Sequence, residues 1–214
     1  MLRIISIIVL LATFVWVYLV QRKYRGSASP WQWFGQQAKT LGSDLMHLKG
    51  ITGSALKGHV YFLTLICFII LAVSGLIPFL ISGQPLSGFL LLVHVATTPL
   101  FAVLMVVVAL IWADTHRFDR KNWRWIKTHL LAKSETTDDA GKNDLLKRIF
   151  FWLIVLFSML LTSIVFSMYP IFDSVGQKFL LNFHKFSAIV LTVVVILHTC
   201  LLLTGGADTK TFQK

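Results

Sequence analysis

Four histidines in apolar surroundings, His59, His94, His184 and His198, are the residues of this chain best suited to chemistry. A neutral imidazole offers one nitrogen to a metal and an N–H to a neighbour, so binding iron removes the penalty of holding a polar ring in hydrocarbon. His184 and His198 are fourteen residues apart. At about 100° and 1.5 Å per residue, that spacing is nearly four whole helical turns and puts both rings on one helix face, about 21 Å apart along the axis. Such a helix supplies one ligand to each of two haems, one near each membrane surface, when other helices bring opposing ligands to the same depths. Taken alone, a histidine inside a membrane is more often an interhelical hydrogen bond or part of a proton pathway. Two pairs matched in depth shift the reading to two bis-histidine b-type haems.

The elements that must position these rings are read from hydropathy. With 56% of residues apolar and a mean hydropathy of +0.75, the composition is that of an integral membrane protein. Five segments approach the roughly 20 residues that a spanning helix needs: Ile4 to Val20, Val60 to Ile81, Phe89 to Ala113, Ile149 to Tyr169 and Phe179 to Leu203. The expected fold is an all-α integral membrane protein, a four-helix di-haem transmembrane bundle plus an extra N-terminal transmembrane helix. Its parts are an anchor over residues 1–21, a cytoplasmic connection over 22–58, the bundle over 59–204 and a cytoplasmic tail over 205–214. A secretory signal peptide is the rival reading of the first segment, but basic residues follow it at once and Ser27-Ala28-Ser29 before Pro30 is a poor cleavage site.

The net charge of +11 comes largely from the connections after the first and third spans. Basic loops are retained on the cytoplasmic side, so the charge marks topology and not a nucleic-acid partner. The connections Ser82 to Gly88 and Pro170 to Lys178 are short and carry almost no positive charge, as expected outside. A bacterial cytoplasmic (inner) membrane protein follows, with the N-terminus outside and the C-terminus inside. On that topology the third and fifth spans both start outside, and His94 and His184 each lie about five residues below the outer boundary. His59 opens the second span inside, and His198 sits about five residues before the end of the fifth, a match looser by about a turn that tilt absorbs. The expected pairs are therefore His94 with His184 outside and His59 with His198 inside.

Other residues are read more simply. The spans hold no Asp or Glu, the usual relays of transporters. Ser74 and Gly75 form a small spot in the second span where a flat macrocycle or a neighbouring helix can approach. Cys67 and Cys200 lack any haem-attachment pattern and read as small packing residues. His47, His116 and His129 fall in cytoplasmic connections and receive no role. The stretch Asn122 to Lys127 mixes indoles with cations, as an interfacial helix or a loop with aromatic anchors; the loop is preferred. Lys133 to Asp144 is polar and is expected to be flexible.

Over about Leu56 to Leu203 the chain resembles the di-haem cytochrome b subunits of respiratory enzymes, most closely the formate dehydrogenase gamma subunit, more distantly those of nickel-iron hydrogenase and of thiosulfate or polysulfide reductase. The resemblance is carried by Lys57-Gly58-His59, Ala72-Val73-Ser74-Gly75, a histidine near the outer end of the next span, Phe151-Trp152, and above all the fourteen-residue His184/His198 spacing. It implies the same pairing of haem ligands reached from depth. It further implies an iron-sulfur subunit docked outside, a catalytic subunit beyond it, and reduction of a quinone, menaquinone or ubiquinone, near the inner haem. The extra N-terminal span departs from the shortest family members. So does the segment before the fourth span, where an amide-bearing quinone contact is expected and Lys142-Asn143-Asp144-Leu145-Leu146-Lys147 stands. Asn143, Asp144 and Lys147 are the candidate quinone contacts, each equally readable as a helix cap at the membrane surface.

The expected function is thus an electron-carrying, quinone-reactive subunit whose primary catalytic partner lies elsewhere. The chain offers no soluble active-site domain and no molybdenum or iron-sulfur ligand pattern. A transporter with titrating histidines predicts pH-gated flux without haem absorbance, and a purely structural anchor tolerates loss of all four histidines.

Overall fold

The computed structural model describes residues 2–25, 54–83, 86–128, 139–167 and 172–205. Among them the chain forms six helices and no strand: α1 (Leu2–Arg25), α2 (Ser54–Ile81), α3 (Gly88–Trp112), α4 (Arg120–Ile126), α5 (Asp139–Ser167) and α6 (Ser174–Gly205). All but α4 are long and apolar enough to cross a membrane, and in lipid a helix is the form that satisfies every backbone polar group within the segment. The helices outrun the apolar segments because hydropathy marks the length in hydrocarbon, whereas helical hydrogen bonding continues into the headgroups. The clearest case is α5. Asp139 to Asp144, expected to be flexible, form its first turns. Residues 133–138 lie outside the described part, as do His47 and His129.

Two close-packed pairs, α2 with α3 and α5 with α6, join through a looser contact between α3 and α5. A cluster of Cys67, Phe101, Leu104, Met105, Val108, Phe151 and Val155 fills the region where α2, α3 and α5 meet. Cys200 is also buried, so both cysteines serve as packing residues. Helix α1 packs against α6 and α2, turning Ser6, Leu10, Thr13 and Gln21 inward and leaving Ile4, Ile8, Leu11 and Val15 exposed. That stripe, at helical spacing, separates a bundle face from a lipid face. The Arg3 guanidinium donates to the Leu80 carbonyl at 2.8 Å and to that of Ile81, placing a cation at the negative end of α2. The start of α1 and the end of α2 therefore share one face, called here the short-loop face; the opposite one is the basic face.

At the basic face the stretch read as a loop is the helix α4. Asp119 caps it: its carboxylate accepts from the Asn122 N–H at 2.8 Å, and the Asn122 side chain accepts from the Asp119 N–H at 3.1 Å. Reciprocal capping of this kind satisfies two of the donors a helix start leaves open. Buried Asn122 also donates to Asp144 at 3.4 Å, and Arg148 donates to the same carboxylate at 3.0 Å and to the Arg117 carbonyl. This chain of bonds ties the α3–α4 connection to α5.

Candidate functional site: two histidine sites within one bundle

His94 on α3 and His184 on α6 meet near the short-loop face, ring centres 6.4 Å apart and planes inclined at 75°. A gap of that size takes one ion with a bond of about 2 Å to a nitrogen of each ring. The His94 ring is seated by α2. Ser74 Oγ lies 3.0 Å from His94 Nδ1 and donates its single proton to the Ile70 carbonyl at 2.7 Å. The hydroxyl is thus left to accept from Nδ1–H, which leaves the lone pair on Nε2 for a metal. Gly75 completes the seat, since a Cβ there would stand 2.9 Å from His94 Cε1. The small spot seen in the sequence is therefore a socket for the His94 ring. On α6, His184 Nδ1 is buried without a hydrogen-bond partner among the described residues, a state that costs about 1–3 kcal/mol and that ligation of the ring helps to offset.

A cavity of about 200 Å³ opens toward the basic face, walled by Tyr61 and Phe68 of α2, Phe101 and Trp112 of α3, Phe151 of α5 and Leu191 of α6. His198 lines it, and its Nδ1 is also buried without a partner among the described residues. Broad aromatic walls around the imidazoles of His198 and His116 fit a flat macrocycle. Among the described residues no three His, Cys, Asp or Glu side chains gather to hold a metal. Imidazoles in pairs suit an iron whose remaining bonds belong to a porphyrin.

His59 is exposed near the start of α2 and lies outside the walls of that cavity. Its depth is nonetheless right. From Ser74, level with His94, fifteen residues lead back to His59, about 22 Å, and fourteen lead from His184 to His198, about 21 Å. His116, given no role from sequence, lines the cavity with His198. Eighteen residues separate His94 from the end of α3 at Trp112, about 27 Å, so His116 lies nearer the basic face than His198. Its ring stacks on Phe151 at 4.0 Å, its Nδ1 lies 3.2 Å from the Trp112 carbonyl, and its own carbonyl accepts from the Trp152 indole at 3.0 Å. Burial pushes the His116 pKa below its ordinary 6.5 and Arg148 adds to this, while the bond to Trp112 and the charge of Asp144 pull it back up. A histidine four residues past a span, next to Phe151-Trp152 in space, left no periodic signal to find it by.

The candidate quinone contacts divide. Asp144 is engaged by Arg148 and Asn122, Lys147 is near enough for its charge to act on His198, and Asn143 is half-buried in the first turns of α5.

Comparison with known proteins adds the family. A profile described as prokaryotic cytochrome b561 matches residues 62–212, which contain His94, His184 and His198 and begin three residues after His59. No curated protein and no solved structure matches. A profile match over more than two thirds of the length, together with five helices able to span a membrane, makes the chain a multi-pass bacterial membrane protein of the prokaryotic cytochrome b561 family, which carries electrons on haem b.

Proposed function

We propose that this cytochrome b is the membrane subunit of a respiratory oxidoreductase, carrying electrons between an external iron-sulfur partner and the quinone pool on two bis-histidine haems. Formate dehydrogenase is the enzyme class favoured by the resemblance, with hydrogenase and thiosulfate or polysulfide reductase as the alternatives. The observation that supports it most is the His94–His184 pair, ring centres 6.4 Å apart, with His184 on α6, the helix whose His198 lines the aromatic cavity. Bound there, haem b supplies reversible one-electron transfer, which no side chain of this chain provides.

The residues divide the work. His94 and His184 hold the site at the short-loop face, with Ser74 and Gly75 fixing the ring of His94. His59 and His198, at equal depth, hold the site toward the basic face, which the positive charge of its connections marks as cytoplasmic. Aromatic side chains exclude water from the inner cavity, and Lys147 and His116 lie where protons arrive from the cytoplasm. Reduction of one quinone to quinol takes two electrons and two protons. With the electrons delivered from outside and the protons taken from inside, each turnover separates charge, and each electron's full crossing works against about 2.3 kcal/mol per 100 mV. A low-potential donor is therefore required.

The test is a reconstituted vesicle with the short-loop face outward. Haem absorbance is expected to be reduced by an impermeant low-potential dye added outside and reoxidised by quinone in the bilayer, with alkalinisation of the lumen. Reoxidation that is independent of quinone, or no haem reduction at all, would overturn this function.

A further inference from the structure

A groove of about 340 Å³ runs between α3 and α5, separate from the aromatic cavity but sharing two residues with it, Met105 and Ser158. Its rim is open to lipid: Val106 and Met159 are each 43% exposed, and Ser163 is exposed. Its floor is closed, with Met105 4% and Ser158 1% exposed. Two buried serines, Ser158 and Ser187, depart from the pattern of the other described hydroxyls, and of the two Ser158 lines the groove. Ser74, Thr97, Thr98, Thr192 and Thr199 each donate to the carbonyl four residues earlier, and the Thr162 hydroxyl goes to the Ser158 carbonyl in the same way. The Ser158 hydroxyl makes no such bond and has no partner among the described residues. An unpaired hydroxyl at that depth costs about as much as a lost hydrogen bond, and a ligand that accepts from it recovers the loss.

We infer that the groove binds the ring of a lipid-soluble quinone arriving from the bilayer, with the Ser158 hydroxyl donating to one carbonyl oxygen. The inference rests on the quinone reading above and gives that substrate a place. A quinone ring is flat, uncharged and equipped only with acceptors, and no charged side chain lines the groove. The thioethers of Met105 and Met159 are suited to contact with a flat ring. The depth also fits. Met105 lies eleven residues along α3 from His94, about 16 Å, and so about one helical turn short of the level of His198. Met105 and Ser158 line both the groove and the cavity that His198 lines.

The experiment uses the full-length, haem-loaded chain in lipid nanodiscs and a photoreactive azido-quinone with a ten-carbon chain. Crosslinks are expected within residues 102–106 and 158–163 and should be displaced by the same quinone without the azide. Ser158→Ala should weaken the apparent affinity about tenfold, the loss of one hydrogen bond. Ala102→Phe, which fills the groove, should abolish labelling there. Haem content and spectrum should match wild type in Ala102→Phe, which lies outside the lining of the aromatic cavity. Undiminished labelling of the filled variant, or unchanged affinity in Ser158→Ala, overturns the inference. Crosslinks confined to 142–148 also overturn it while leaving the quinone function standing; no displaceable crosslink anywhere removes both.

Discussion

Gly75 is where one hydrogen atom decides whether a ligand ring fits. Any side chain there meets His94 Cε1 at 2.9 Å, so Gly75→Ala is expected to push the imidazole off the Ser74 hydroxyl and out of line with His184. Ser74→Ala removes the bond without the clash. Because an outer-shell partner is worth about 10–100-fold in metal affinity, both variants should lose one haem in dialysis against apomyoglobin at least tenfold faster than wild type, with the other haem retained. His116 gives a prediction of a different kind. Since its pKa is lowered from 6.5 in the folded chain, the unfolded chain binds the proton more readily. Stability is untouched above about pH 6.5 and falls as the pH drops through the folded pKa. Thermal denaturation at pH 7 and pH 5 should show a smaller acid loss in His116→Gln than in wild type. The meeting of His94 with His184 was legible because spacing and depth are one-dimensional quantities, whereas His59 lies outside the cavity that His198 lines. The role of Gly75 was only half legible, since the sequence offered a macrocycle or a helix as its neighbour and the neighbour is the His94 ring of α3.

Helices carry these residues, and the contacts at their ends set how firmly. The Asn122–Asp144–Arg148 chain holds α4 and the His116 carbonyl's segment against α5. Asp144 is 53% exposed, so its ion pair with Arg148 is worth at most about 1 kcal/mol. Asn122 is 4% exposed and makes both the reciprocal cap and the link to Asp144. Asn122→Ala is therefore expected to cost about 1–2 kcal/mol locally, seen as roughly tenfold faster amide exchange over residues 120–126 with little change in the spans. An exchange pattern identical to wild type would show that the bonds do not hold the segment. Asp119 and Asn122, three residues apart before a run of indoles, are a readable helix start; the indoles and cations alone fit an interfacial helix or a loop with aromatic anchors, and the reciprocal cap decides for the helix. Likewise the polar opening of α5 has no hydropathy signal, and its helicity depends on partners in another segment.

At the scale of the molecule, the bundle of α2, α3, α5 and α6 carries the His94–His184 pair and the cavity lined by His198, and α1 covers the flank between α6 and α2. Hydropathy gave the number of spans, but the partners of α1 were not legible, because its inward stripe of Ser6, Thr13 and Gln21 is polar and resembles no core. The topology makes a direct prediction. With Cys67 and Cys200 both buried, Ser87→Cys is expected to react with an impermeant maleimide from outside the cell and Arg120→Cys only after the membrane is opened; the reverse pattern would invert the electron path. The claim on which all of this depends is that imidazole pairs hold two haems in one chain. Haem quantification on the purified chain, with low-temperature spectra of the single alanine variants, tests it most directly. The expected result is two haems per chain, one lost in His94→Ala or His184→Ala and the other in His59→Ala or His198→Ala. A colourless chain, a single haem, or a His59→Ala variant that keeps both while His116→Ala loses one would contradict it.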